Sequence, residues 1–385
     1  MCFGLKKKIK VGFFISTSSE WFGGINYLKN LFYALNYSNS FIQPVVSTLN
    51  NDYETINLFK SNTKILKEGK IKKKLIKFLG EHKGSEIYYK MLGINVISHS
   101  DAFYLPYPIK RLNWIPDFQH IHMPEMFSEE EIIMRNLHYK NIADNSNIVI
   151  LSSYESKKDF ENFSPENKHK TRVLQFVSIP PSEIFSESPV LKEEVYAKYG
   201  IHDKFFYIPN QLWKHKNHLT MFKAVKILKD KGININVICT GHSKDGRNPE
   251  HYQNLTDFIK DNNLTENIKI LGLVEYKYIP YFIRNCISVI NPSFFEGWST
   301  TVEETKSVGK SIILSDIPVH KEQSPLYSTY FNPNDPEELA GILNEKWNQI
   351  EAGADYKLEK NAKEQLGQRI LEFAQKYESY VREIL

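Results

Sequence analysis

The feature that most constrains the fold is a rhythm that runs through the chain twice: a short apolar run, a polar or glycine-containing loop, then an amphipathic helix. The first instance reads as a strand over 9–15 and a Ser/Thr-rich loop over 16–19 leading to Gly23-Gly24. A helix follows from Ile25 to about Leu35, where Ile25, Leu28, Leu31, Phe32 and Leu35 recur at three and four and so share one buried face. Further strands are expected over 42–47, 101–105, 112–115 and 148–152, with a helix over 154–163. The stretch from Phe176 to Pro189 is rich in Pro and Ser, which marks a linker. A second series begins after it, with short buried strands over 205–208, 234–240, 268–271, 287–290 and 311–314. From 366 to 385, Ile370, Phe373, Tyr377, Val381 and Ile384 form the single stripe of a terminal helix. The pattern is α/β, two doubly wound domains in series.

A length of 385 residues suits two domains. We expect an N-terminal Rossmann-like domain over 1–182, completed by the terminal helix 366–385, and a C-terminal one over 183–365. The 41% apolar and 24% charged content is that of a soluble globular chain, and a net charge of +4 gives no reason to expect a nucleic-acid partner. Cys2, Cys239 and Cys286 are odd in number and lack CxxC spacing, so neither a disulfide framework nor a zinc site is suggested. The apolar stretch 11–15 is too short for a signal-peptide core. No run approaches the ~20 apolar residues that span a bilayer. A cytoplasmic location is the expectation.

Ligands of doubly wound sheets bind beyond the carboxyl ends of the strands, so the loops there are the places to search. Asn291 to Ser307 follows one strand and enters a helix near Thr301, with Glu296 and Glu304 eight positions apart. At such a helix start the N–H groups of Ser299, Thr300, Thr301 and Val302 would point outward, unpaired, at a positive helix terminus, which suits a diphosphate. Glu304, one turn into the helix, is placed to accept two ribose hydroxyls, and Glu296 to lie beside a leaving sugar; acids in a first turn also simply complement the helix dipole. A second loop, Ile208 to Leu228, sets Lys214 and Lys216 beside another helix start, where an ammonium would neutralise a departing diphosphate.

The Asn291–Ser307 run resembles the E-x7-E signature of family 4 glycosyltransferases, with Glu296 and Glu304 matching its two acids and Gly297 the following glycine, and the resemblance extends over essentially the whole chain. It implies the GT-B fold: two facing Rossmann-like domains, the donor held by the second, the acceptor mostly by the first, and a terminal helix crossing back. It implies metal-independent hexosyl transfer from a nucleotide diphosphate sugar with retention of configuration, onto a glycan or lipid-linked glycan, in bacterial surface polysaccharide or lipopolysaccharide synthesis. No cofactor and no metal are expected, and no Asp-x-Asp occurs. By the resemblance Lys216 takes the place of the diphosphate lysine, while Asn210 stands where the family usually has arginine, a gap that Lys214 could fill. His120 matches the histidine that reaches the donor sugar; without the family, a lone loop histidine reads as packing or capping. Leu271 to Val274 matches the loop whose backbone reads the base, and Gly23, Gly24, Trp298 and Val302 complete the expected donor contacts. Ser152-Ser153 faces the cleft by position. The implied chemistry is front-face displacement, with Lys216 and the helix start at Thr301 stabilising the leaving diphosphate. A non-catalytic GT-B subunit, or an epimerase or phosphorylase on this scaffold, is the alternative, since fold does not fix chemistry.

Lys64, Lys67, Lys70, Lys72, Lys73, Lys74, Lys77 and Lys83 crowd one segment. Interleaved with Ile71, Leu75, Phe78 and Leu79, they give 65–83 the makeup of an interfacial helix on an anionic membrane. Its alternative is a helix that packs Leu75, Phe78 and Leu79 into the first domain.

Overall fold

The computed structural model describes residues 8–15, 22–48, 57, 59–66, 70–100, 109–185, 189–201 and 204–385. The chain divides into two compact units, one of residues 1–121, 128–178 and 367–385, the other of 122–127 and 179–366.

In the first unit a parallel sheet of seven strands runs in the order β3-β2-β1-β4-β5-β6-β7. The strands are β1 (Ile9–Ile15), β2 (Ile42–Thr48), β3 (Lys64–Ile65), β4 (Ile94–Ser98), β5 (Lys110–Ile115), β6 (Ile148–Leu151) and β7 (Thr171–Val173). Ile9 pairs with Ile42 and Ile15 with Thr48, so the first two strands are in register along their length. β4 was not legible as a strand, and the strand expected over 101–105 lies outside the described residues. Gly23 and Gly24 fall inside the helix Phe22–Tyr37 instead of in a loop before it, and a Cβ on Gly23 would meet nothing within 4 Å. Ser152 and Ser153 are both buried. Ser152 Oγ takes the indole N–H of Trp114 at 3.0 Å, and Ser153 caps the helix Tyr154–Phe163 by accepting from the N–H of Ser156 at 3.0 Å. Ser153 satisfies a helix-start N–H that the backbone leaves unpaired, and Ser152 satisfies an indole donor.

The lysine-rich segment forms two helices, Lys70–Leu79 and Glu81–Met91, broken at Gly80, whose φ of +80° belongs to the left-handed region. Lys72 turns inward and donates to the Tyr89 hydroxyl at 2.9 Å. Leu75 packs against the cluster around Tyr89 and Ile94, but Phe78 is 81% exposed and Ile71 59%. Of the three residues expected to fill the core in the packed alternative, one does so.

The second unit holds another parallel sheet, in the order β10-β9-β8-β11-β12-β13. Its strands are β8 (Phe206–Ile208), β9 (Val237–Cys239), β10 (Ile268–Ile270), β11 (Val289–Asn291), β12 (Ile312–Ser315) and β13 (Ser328–Phe331). Alternation along each strand fills both faces: Phe206, Ile208, Val237 and Cys239 join one apolar cluster, Phe205, Tyr207 and Ile238 the other. Each sheet reverses its order once, between β1 and β4 in the first unit and between β8 and β11 in the second. The expected pair of parallel, Rossmann-like sheets is the observed architecture.

The terminal helix is longer than its apolar stripe and runs over Tyr356–Ile384. Its start belongs to the second unit, where Glu359 pairs with Arg284 at 2.6 Å and both side chains are buried. Its end belongs to the first, where Ile370, Phe373, Tyr377 and Val381 are buried and the Tyr380 hydroxyl donates to the Val173 carbonyl at 2.6 Å.

Candidate active site

The order reversal between β8 and β11 places two loops side by side at the carboxyl ends of these strands, the position where doubly wound folds hold ligands. From the β8 loop, a short turn over Lys214–Lys216 presents Lys216, and Asn217 follows in a left-handed conformation that asparagine tolerates. The amide of Asn217 donates to the carbonyls of Pro292 and Pro333 at 3.0 and 2.9 Å, and the Phe294 N–H reaches the His215 carbonyl at 2.8 Å. These bonds fix the lysine turn onto the β11 loop.

Lys216 Nζ meets both carboxylate oxygens of Glu296, at 2.7 and 2.8 Å, with side-chain exposures of 15% and 8%. Glu296 also accepts from Ser293 Oγ at 2.8 Å and from the Asn291 amide at 3.3 Å. Burial pushes the Glu296 carboxyl up, but the Lys216 ammonium and these donors prevail and hold it below the ordinary carboxylate value. Asn291 is the hub beneath the pair. It donates to Ser299 Oγ at 2.8 Å and accepts from Asn210 at 3.0 Å, and Asn210 in turn accepts from Thr301 Oγ1 at 2.7 Å.

The helix Thr300–Val308 starts here with Ser299 as its cap, accepting from the Val302 N–H at 3.3 Å. Ser299 N–H is itself taken by Gln323 Oε1 at 3.1 Å. Of the N–H groups expected to point outward unpaired, those of Ser299 and Val302 are therefore engaged; the Thr300 and Thr301 groups have no partner among the described residues. Side chains satisfy the outer donors of a helix start whenever they are within reach, and here Gln323 and the capping serine are.

Glu304 lies one turn further in, 9% exposed, with the Tyr276 hydroxyl donating to it at 3.2 Å. Burial raises its carboxyl to about 7, against the opposing pull of that hydroxyl. Beneath the β11 loop, Ser315 Oγ donates to the Ser293 carbonyl at 2.5 Å, and His320 Nδ1 sits 3.0 Å from the Ser315 carbonyl. A carbonyl only accepts, so Nδ1 carries the proton and the fully buried Nε2 is a bare acceptor. Burial holds His320 neutral, with its ring pushed down to about 4.

Residues 192–365 match the family model described as glycosyl transferases group 1. That match lies within the second unit. Among curated proteins, the O-antigen chain mannosyltransferase RfbU of Salmonella typhimurium is 25% identical over 133 residues, 34% of this chain and 35% of that protein. An uncharacterised glycosyltransferase of Methanocaldococcus jannaschii is 26% identical over 182 residues, 47% of this chain and 42% of that one. The matched stretches thus span less than half the length of these relatives. The whole chain is similar in fold to Anabaena HepE in complex with UDP and glucose, with a TM-score of 0.72 at 16% identity, covering 97% of this chain and 99% of that one. A glycosyltransferase from Rickettsia africae gives 0.67 at 14% identity over 98% of both chains.

Within the second unit the structure brings Asn210, Lys216, Glu296, Ser299 and Thr301 into one hydrogen-bonded network. Asn210, in the arginine position, is a buried strut and presents no charge, while Lys214 is exposed on the same turn as Lys216. Gly297 and Trp298 lie partly exposed on the β11 loop, whereas the Val302 side chain is core. Val274 packs on the same core at the end of the β10 loop, in which Leu273 is 58% exposed and Gly272 adopts φ +69°. His120 belongs to the other unit, 1% exposed against Phe118 and Tyr139, its Nε2 3.0 Å from Asn136 Oδ1. Sequence reasoning missed Asn291, Ser293, Gln323, Ser315 and His320. Only the position of Asn291 and Ser293 beside Glu296 could have drawn attention to them; nothing in the sequence ties Gln323 or His320 to a loop many residues earlier.

Proposed function

We propose that this chain transfers a hexose from a nucleotide diphosphate sugar to a glycan or lipid-linked glycan, with retention of configuration and without a metal, in synthesis of a surface polysaccharide. The observation that carries the reading is the Lys216–Glu296 pair beside the capped helix start at Ser299, at the reversal point of the second sheet. A departing nucleoside diphosphate needs positive charge where its oxygens develop it, and preorganised donors supply that most effectively. Lys216 is such a charge, and the Thr300 and Thr301 N–H groups supply dipoles of the same sign. Glu296, held ionised by Lys216, suits the hydroxyls of the transferred sugar; Glu304 suits those of the ribose. Retention is assigned to front-face displacement: the acceptor oxygen bonds to the anomeric carbon as the bond to the diphosphate oxygen breaks, and that oxygen takes the acceptor's proton. Retaining hydrolases instead pair two carboxylates ~5 Å apart, one as nucleophile, whereas here the nearest partner of Glu296 is an ammonium.

The helices Lys70–Leu79 and Glu81–Met91 are proposed to rest on an anionic membrane at its cytoplasmic face. Phe78 at 81% exposure and Ile71 at 59% face solvent amid Lys73, Lys74 and Lys77, as an interfacial helix requires. No helix among the described residues is long and apolar enough to cross a membrane.

The test is release of nucleoside diphosphate from UDP-glucose, since the similar HepE was solved with UDP and glucose, and from a mannosyl donor, since RfbU is a mannosyltransferase, both with a chelator present. Slow release without acceptor and faster release with one, the product keeping the donor's anomeric configuration, is the expected outcome. Absence of release from every nucleotide sugar tried would leave the non-catalytic subunit standing.

A further inference from the structure

In a parallel sheet every strand ends on the same edge, so the opposite edge of the second unit, where β11, β12 and β13 begin, lies away from the Lys216–Glu296 pair. A cleft of about 540 Å³ opens there, lined by Ser311, Ser328 and Thr329 at the strand starts and by the 350–356 turn. From its content, we propose that this cleft is a second saccharide-binding site, one that holds part of a glycan apart from the transfer site; the choice of ligand class rests on the glycosyltransferase reading above.

Two tyrosines line the cleft while keeping much of their surface in solvent, Tyr327 at 56% and Tyr356 at 65% exposed. Exposed aromatic faces are the surfaces on which the C–H faces of a pyranose ring can rest, burying apolar area without a desolvated charge. The polar lining is balanced: the ammonium groups of Lys310 and Lys346 are matched by the carboxylates of Glu351 and Asp355. Such a lining offers donors and acceptors together, as a neutral polyhydroxylated ligand requires, and gives an anion no net attraction. Lys310 already closes the turn, its ammonium donating a hydrogen bond to the Gly353 carbonyl at 2.6 Å, so the cleft has a fixed floor. Tyr327 supplies an independent indication. Its φ is +58°, a backbone that bulky residues rarely hold, and it stands just before β13 with no glycine to relieve it. Strained residues of this kind concentrate where a side chain serves a ligand.

The experiment uses the full chain and α-linked mannotriose, followed by saturation-transfer NMR with and without saturating UDP. Binding in the millimolar range that persists in UDP, and that weakens by at least about fivefold in Tyr356→Ala and in Tyr327→Gly, is the expected result. Tyr327→Gly removes the ring where glycine fits the backbone better, so its melting temperature should not fall. Saccharide binding that both variants leave unchanged, or no binding at about 10 mM trisaccharide, overturns the proposal. Nucleotide release is measured on the same variants, so that loss of the transfer reading and loss of this site are read separately: the site fails only by the NMR result.

Discussion

Glu296→Gln removes one charge and almost no volume from the centre of the site. In the wild type the carboxylate, 8% exposed, accepts two bonds from Lys216 and one each from Ser293 and Asn291. Removing one partner of a buried ion pair costs about 3–5 kcal/mol, because the other charge stays buried without compensation. Glutamine keeps one accepting oxygen, and Lys216 at 15% exposure can turn its ammonium to water, so about 2 kcal/mol is the expected loss. Lys216→Met should cost about as much by leaving the carboxylate unpaired, and the double variant should cost less than the sum by roughly 1–2 kcal/mol. Urea unfolding of the four proteins, with the slope m compared among them, measures that coupling. The folded carboxyl lies below its unfolded value of 4.5, so the pair's contribution is fully present above that pH and is lost as pH falls through the folded value. The coupling should therefore hold at neutral pH and vanish in acid. Additive losses at neutral pH would refute the idea that the two groups act as one pair.

Glu304→Gln should act in opposite directions on stability and on binding. A carboxyl raised to about 7 favours the protonated form in the fold, so the wild type loses stability as pH rises from 4.5 through 7, and the variant should be the more stable at about pH 8 by as much as about 3 kcal/mol. UDP affinity measured by calorimetry should meanwhile fall by roughly 1.5–3 kcal/mol if the carboxylate accepts ribose hydroxyls. Gly309→Ala should lower the melting temperature, since Gly309 has φ +81° and a Cβ would stand 2.6 Å from the Leu358 carbonyl oxygen; about 3 kcal/mol is the expected cost. Vesicle flotation should carry the wild type with anionic lipid at low salt and release it on adding salt. Lys73, Lys74 and Lys77 all changed to Glu should abolish flotation, each Lys contributing about 1 kcal/mol near the surface, whereas Lys72 is no test because it supports Tyr89.

Sequence alone determined the class of fold and the loops that matter. The short apolar runs that became β1, β2, β5, β6, β8, β9, β11 and β12 are mostly buried on both faces and so announce themselves by apolar content, whereas β13 was not legible because its Ser328, Thr329 and Tyr330 are only half-buried. The helix Tyr154–Phe163 has the bounds expected from the sequence, while the role of Ser153 as its cap came only from the structure. β4 escaped because Ile94–Ser98 carries an exposed asparagine amid its apolar positions and follows a helix and turn too closely to stand out. The first turns of the terminal helix escaped because Tyr356–Gln365 buries little beyond Leu358, Glu359 and Ala362 and so shows no stripe.

The E-x7-E spacing put Glu296 and Glu304 on one loop and helix, and the basic loop put Lys216 at a helix start, because both are local facts. Tertiary structure alone decided that Lys216 and Glu296 meet, across 80 positions, through the crossover that sets β8 beside β11. It also decided that Gln323 consumes the Ser299 N–H, that Asn210 is a strut, that Lys72 points inward and that Phe78 points out. The period of a segment fixes which residues share a face. What covers that face depends on which distant element packs there, and hydrogen-bond donors go to whichever acceptor that packing brings within about 3 Å.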